Sequence, residues 1–186
     1  MKTKRTLALV AAAVGFTITF AGGLAVSAQD KYALKVPGGL AFSEFKGYES
    51  WEVVSISYNN GALAATLANP VMIQAFKAGI PENGQPFPDG AKMAKVHWIP
   101  KKSSLFPSAL VPDKQHDVDF MVKDSKRFGD VGGWGYAEFM YDAAADTFRP
   151  GNESDNAPQG HDAKCGVSCH NIAKARNYVF TEYGHR

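Results

Sequence analysis

The sequence predicts an α+β fold: mainly antiparallel β-sheet with a few short helices and a cysteine–histidine segment near the C-terminus. Three observations carry this. Runs rich in β-branched and aromatic residues alternate in polarity and end at glycine- or asparagine-bearing turns. One short segment carries helix start and stop signals at both ends. Loops dense in proline and glycine separate these elements.

In chain order, Trp51–Tyr58 (WEVVSISY) reads as a strand closed by Asn59-Asn60-Gly61. Asn69 then caps a helix that starts at Pro70 and stops at Gly79, since Asn suits the N-cap, Pro the first turn and Gly the C-terminal end. Residues 81–90 hold three prolines and two glycines and read as loop. Ala91–Ile99 returns to strand character, with Met93, Lys95 and His97 on one face and Lys92, Ala94, Val96 and Trp98 on the other. Asp117–Lys123 alternates as well: Val118, Phe120 and Val122 share a face, and Asp117, Asp119 and Lys123 form a polar one. Gly132-Gly133 opens a further strand, Trp134–Tyr141, and residues 146–161 form a polar connection. The segment after His170 has helical character. The total is four or five strands.

The chain opens with Lys2, Lys4 and Arg5, then an uncharged, largely apolar stretch from Thr6 to Ala25, then Val26-Ser27-Ala28. That is the pattern of a cleaved signal peptide over residues 1–28. The apolar stretch is close to the roughly 20 residues of a membrane span, but Gly22, Gly23 and the small residues that follow favour removal. A single domain over residues 29–186 is then expected, exported to the periplasm, with no membrane span after cleavage. Removal leaves 17 basic against 18 acidic residues, and so near-neutral a chain offers no electrostatic basis for nucleic-acid binding.

Residues 165–170, CGVSCH, hold the only two cysteines. A Cys165–Cys169 disulfide would close a very small ring that constrains the unfolded chain little. Zinc needs about four ligands, and His161 with Cys165, Cys169 and His170 supplies that number, although an oxidising compartment disfavours reduced thiols. Covalent haem c is the third option: two cysteines form thioethers and the following histidine ligates iron. The usual spacing is Cys-x-x-Cys-His, and one extra residue here leaves the Cys169-His170 adjacency unchanged. Composition and spacing leave all three open.

Three blocks in order add to this motif. They are Asn69-Pro70 with Pro86-Phe87-Pro88-Asp89-Gly90 and the strand after it, Val122 to Phe128 followed by Gly133-Trp134, and Cys165 to His170 through Tyr178-Val179-Phe180-Thr181. With these blocks, the chain resembles the cytochrome P-460 family across nearly all of the exported part. The resemblance implies one covalent haem c, with His170 as the sole protein ligand to iron and the opposite face open to small molecules. Family activities include hydroxylamine oxidation and, in the related cytochromes c′-β, nitric oxide binding. A homodimer and a redox partner such as a small cytochrome are further implications. The family's lysine–haem cross-link falls on Lys95, six residues on from Asp89, and its distal glutamate falls on Asp119, a shorter carboxylate. A plain electron carrier would instead need a sixth ligand, for which Met93 or Met121 is the candidate; Phe76 and Phe120 are candidates for the pocket lining.

Overall fold

The computed structural model describes residues 29–36, 39–151 and 164–184. The proposed signal peptide and His161 lie outside the described residues. Among the described residues, no helix is long and apolar enough to cross a membrane.

Six strands form one antiparallel sheet in simple chain order: β1 (Glu52–Asn59), β2 (Ala62–Ala68), β3 (Lys92–Lys102), β4 (Leu110–Lys123), β5 (Trp134–Asp142) and β6 (Thr147–Pro150). The α+β expectation holds, with six strands where four or five were expected. β2, ALAATLA, escaped notice because alanine is a poor strand former, and its strand state comes from pairing with β1 and β3 on either side. β6 lies within the stretch expected to be a connection. β3 and β4 both run further than expected and pair as far as Lys102 and Leu110. At the β1–β2 turn, Asn60 and Gly61 both have positive φ, 49° and 82°, as a two-residue hairpin of the primed type requires.

Helix α1 (Pro70–Lys77) carries the predicted caps. The Asn69 side chain accepts from the amides of Met72 and Lys92 and donates to the Gly90 carbonyl at 2.9 Å. One residue therefore starts the helix and ties it to the head of β3. Gly79 follows the helix with a φ of 85°, the left-handed conformation that glycine adopts without penalty.

Each face of the sheet is covered by a separate apolar cluster. On one side Ala94, Val96, Val118, Phe120 and Phe139 pack beneath Phe42, Phe45 and Tyr48 of the N-terminal segment. The Phe120 ring stacks on Phe45 with centroids 4.1 Å apart, and Lys92 belongs to this side, its ammonium donating to the Glu44 carbonyl. On the other side Met93, Met121, Trp134 and Tyr136 pack against α1 and Val179. The strand alternation is thus as the sequence implied. On the polar face of β4, Lys123 is nevertheless buried: it donates to the Gly132 carbonyl at 2.8 Å and lies 5.4 Å from the Trp134 ring centroid.

The C-terminal segment crosses this second face. Helix α2 (Lys164–His170) leads into a 3-10 turn, Asn171–Arg176, and then an extended tail. The tail is pinned at Arg176, paired with Glu82 at 2.9 Å, and at Tyr183, whose hydroxyl donates to Glu52 and whose ring stacks on Phe76 at 5.3 Å.

Candidate functional site

Between the sheet and the C-terminal segment lies a cavity of about 960 Å³, at the upper end of the range for small-molecule and cofactor sites. Its sheet wall follows from strand register. Ser55, Thr66, Lys95, Asp119 and Glu138 are successive cross-strand partners from β1 to β5, so they form one polar row. All five line the cavity. The next row along the strands is apolar, with Met93, Met121 and Tyr136 in register and also on the cavity.

The opposite wall is built from α2 and the tail, and it places Gly166, Cys169, His170, Val179 and Phe180 on the cavity. Cys165 and Cys169 fall in one helix, four residues apart, a spacing that puts two positions one above the other on a helix face. The extra residue of the motif is therefore accommodated as a helical turn. Cys169 is an exposed free thiol. A Cβ added at Gly166 would lie 2.7 Å from Tyr136, so the backbone of α2 rests directly on β5 and only glycine fits at that contact.

His170 is oriented from behind. Its Nδ1–H donates to the Tyr178 carbonyl at 2.7 Å, which leaves the lone pair of the neutral ring on Nε2. Its ring packs between Tyr136 and Phe180, with centroids at 4.7 and 5.1 Å. Burial pulls its pKa below the ordinary histidine value, favouring the neutral form that can ligate a metal. The Tyr178 carbonyl is itself set by two consecutive left-handed residues, Asn177 at φ 51° and Tyr178 at φ 67°. Asn177 is held by its carbonyl, which accepts from the Trp134 indole at 2.9 Å, and by its side chain, which accepts from the Phe87 amide at 2.9 Å.

The sequence-derived candidates thus separate onto two walls: Cys169 and His170 on one, Lys95 and Asp119 directly paired on the other. The Lys95 ammonium makes no hydrogen bond or ion pair among the described residues, while its backbone pairs with Thr66 and Asp119 in the sheet. Asp119 opens onto the cavity with its side chain 48% exposed, and the protein walls around that opening, together with the charges of Asp117 and Glu138, push its pKa up from 3.8 to about 7. His97 shares this face, but its Nδ1 is engaged by Asp117. Of the remaining candidates, Met93 and Met121 line the cavity, and Phe120 borders it while its ring packs on the far side of the sheet. Phe76 belongs to the α1 cluster instead. Sequence reasoning missed Tyr136, Tyr178 and Asn177; the glycine at 166 was the one local signal of a close contact.

A carboxylate with a raised pKa destabilises the fold once it ionises. The folded state holds more protons than the unfolded one between pH 3.8 and about 7, so Asp119 costs stability progressively across that window and by a constant amount above it. Asp119→Asn is therefore expected to match the wild type in Tm below the window and to exceed it above pH 7, measured by thermal melts across pH. Equal melting temperatures at every pH would remove the environment assigned to Asp119.

The cavity and its donors fit a haem: an imidazole with Nε2 available, two cysteine positions one turn apart, and an apolar row beside a polar one. A model of the family described as Cytochrome P460 matches residues 45–181. No curated protein matches the chain. The match covers most of the chain, which belongs to the cytochrome P460 family and is a haem-binding protein.

Proposed function

We propose that this family member is an exported, periplasmic c-type cytochrome carrying one haem, attached by thioethers to Cys165 and Cys169, with His170 as iron ligand, and that it oxidises hydroxylamine. The bound haem supplies one-electron chemistry at iron, while the protein sets ligation, polarity and access. His170 holds its proton at Nδ1, against the Tyr178 carbonyl, and presents Nε2. Asp119, across the cavity, takes protons from hydroxylamine as electrons pass to an external one-electron acceptor such as a small cytochrome. The single observation that carries this reading is the carboxylate of Asp119 on the cavity wall across from His170, and its surroundings raise its pKa to about 7, where a base is most effective at neutral pH. Lys95, uncommitted and beside Asp119, is the residue for a haem cross-link. A homodimer follows from the family resemblance alone.

A second reading is nitric oxide binding without turnover, favoured by the apolar row of Met93, Met121 and Tyr136 beside the polar one. The purified protein separates the two. Hydroxylamine consumed with matching reduction of an added one-electron acceptor, and a ferrous Soret band shifted strongly to the red that reverts to an ordinary haem c band in Lys95→Ala, are the expected results. No consumption alongside tight nitric oxide binding would replace the first reading by the second. An ordinary ferrous haem c spectrum in the wild type would remove the Lys95 cross-link.

A further inference from the structure

Behind the cavity, four side chains from β3 and β4 touch in series. Asp119 faces the cavity, and its Oδ2 is 3.8 Å from Nδ1 of His97, a span for one bridging water or a small side-chain rotation. His97 Nδ1 hydrogen-bonds one oxygen of Asp117, and His116 Nδ1 hydrogen-bonds the other. Exposure rises outward along the last step: the side chains of His97 and Asp117 are 16% and 9% exposed, that of His116 51%.

The backbone is shaped to make this series. His97 pairs with Asp117, but Trp98 pairs with Gln115, so His116 is an extra residue in β4. In a regular strand His116 and Asp117 would point to opposite faces of the sheet. The bulge turns them together, which is the re-aiming that bulges provide beside functional sites.

We propose that Asp119, His97, Asp117 and His116 form a proton path between the cavity and the outer surface. Asp119 is its inner end, His116 its outer end, and Asp117 positions both imidazoles and bridges them. From the His97 imidazolium, the Nδ1 proton moves to the facing oxygen of the Asp117 anion, and the vacated Nδ1 takes the proton of Asp119. Neutral Asp117 turns its carboxyl about Cβ–Cγ and passes its proton to Nδ1 of His116 in its Nε2–H tautomer, and the resulting imidazolium releases one proton to solvent, which restores the Asp117 anion. Each step makes and breaks one O–H or N–H bond, and no electrons move.

The charges around the chain suit it. Burial pulls His97 down in pKa, but its hydrogen bond to Asp117 and the nearby Asp119 outweigh this and hold it above the ordinary value, against the opposing charge of Lys95. Asp119, acted on by Asp117, His97, Glu138 and Lys95, is pushed up to about 7. Asp117 is also buried, yet hydrogen bonds from His97 and His116 keep it below the usual carboxylate value and hence an anion at rest. From the facing tail, Glu182 also borders the cavity.

The proposal rests on the cavity being a haem site, not on hydroxylamine as substrate, so hydrogen cyanide serves as the probe. It is a neutral acid that binds ferric haem as its anion, and every binding event leaves one proton in the cavity to be exported. Stopped-flow recording of the Soret change together with a pH-indicator dye follows both events in the haem-loaded protein. The two signals are expected to coincide in the wild type and to slow on the order of a hundredfold in His97→Gln and Asp117→Asn. His116→Ala is expected to slow and to be restored by imidazole added to the buffer, whereas Asp117→Asn is not restored. Near-UV circular dichroism matching the wild type shows that each variant is folded. Wild-type rates in His97→Gln and His116→Ala, or no restoration by imidazole, would overturn the path. Absence of hydroxylamine turnover with these cyanide results intact would count against the proposed substrate alone. A chain that takes up no haem would overturn both.

Discussion

Trp134→Ala is expected to lower the unfolding free energy by about 3–5 kcal/mol, the cost of emptying a large aromatic site in a core, and to loosen the proposed iron ligand with it. Trp134 is fully buried, in edge contact with Phe87 at 5.9 Å and beneath the Lys123 ammonium. Its indole N–H is also the partner of the Asn177 carbonyl. Alanine would leave that carbonyl without its donor, a further cost of about 1–3 kcal/mol where the group stays dry. Asn177 and Tyr178 sit in left-handed conformations, which cost non-glycine residues energy and persist only where the surroundings hold them. Once the loop relaxes, the Tyr178 carbonyl no longer fixes the His170 ring. Denaturant titration gives the stability, and the Soret spectrum gives the state of the histidine. A loss under about 1 kcal/mol, or an unchanged spectrum in a clearly destabilised protein, would break the link between the Trp134 site and His170.

Asp119→Asn is expected to reduce hydroxylamine turnover by about 10² to 10⁴, the usual contribution of a positioned acid–base group. The substitution keeps the shape of the side chain and removes only its ability to accept a proton. With the Asp119 pKa near 7, wild-type turnover should rise as pH increases through that value, because the ionised carboxylate is the base. The variant should lose that limb of the profile. Nitric oxide binding, which transfers no proton, should survive in the variant. Turnover at the wild-type rate with the same pH profile would remove Asp119 from the reaction.

Much of the scaffold was legible in the sequence for physical reasons. Asn69, Pro70 and Gly79 each satisfy a specific backbone need at a helix end, and that need is local. The alternation of β3 and β4 sorted Val118, Phe120 and Val122 from Asp117, Asp119 and Lys123 correctly. Alternation reports only which residues share a face. It does not distinguish bulk solvent from an internal cavity, so alternation alone places Asp119 and Lys123 on a polar face without telling which of the two that face meets. The pairing of Lys95 with Asp119, and of His97 with Asp117, depends on cross-strand register, which is fixed by the whole sheet. The bulge at His116 is invisible for the same reason. The His170 support was hidden too, because it runs through the Asn177 and Tyr178 carbonyls, backbone groups that carry no residue-specific signature, and because the Trp134 indole reaches Asn177 from a distant strand. The spacing of CGVSCH departs from the usual form, yet in the folded chain the two cysteine positions stack one helical turn apart.

The central claim, that these two cysteines anchor a haem, is tested most directly by the mass of the intact exported protein after denaturation in acid. The account predicts residues 29–186 plus one covalently retained haem, with no retained haem in the Cys165→Ala, Cys169→Ala double variant. A mass equal to the chain alone, or to the chain less the two hydrogens of a Cys165–Cys169 disulfide, would contradict it.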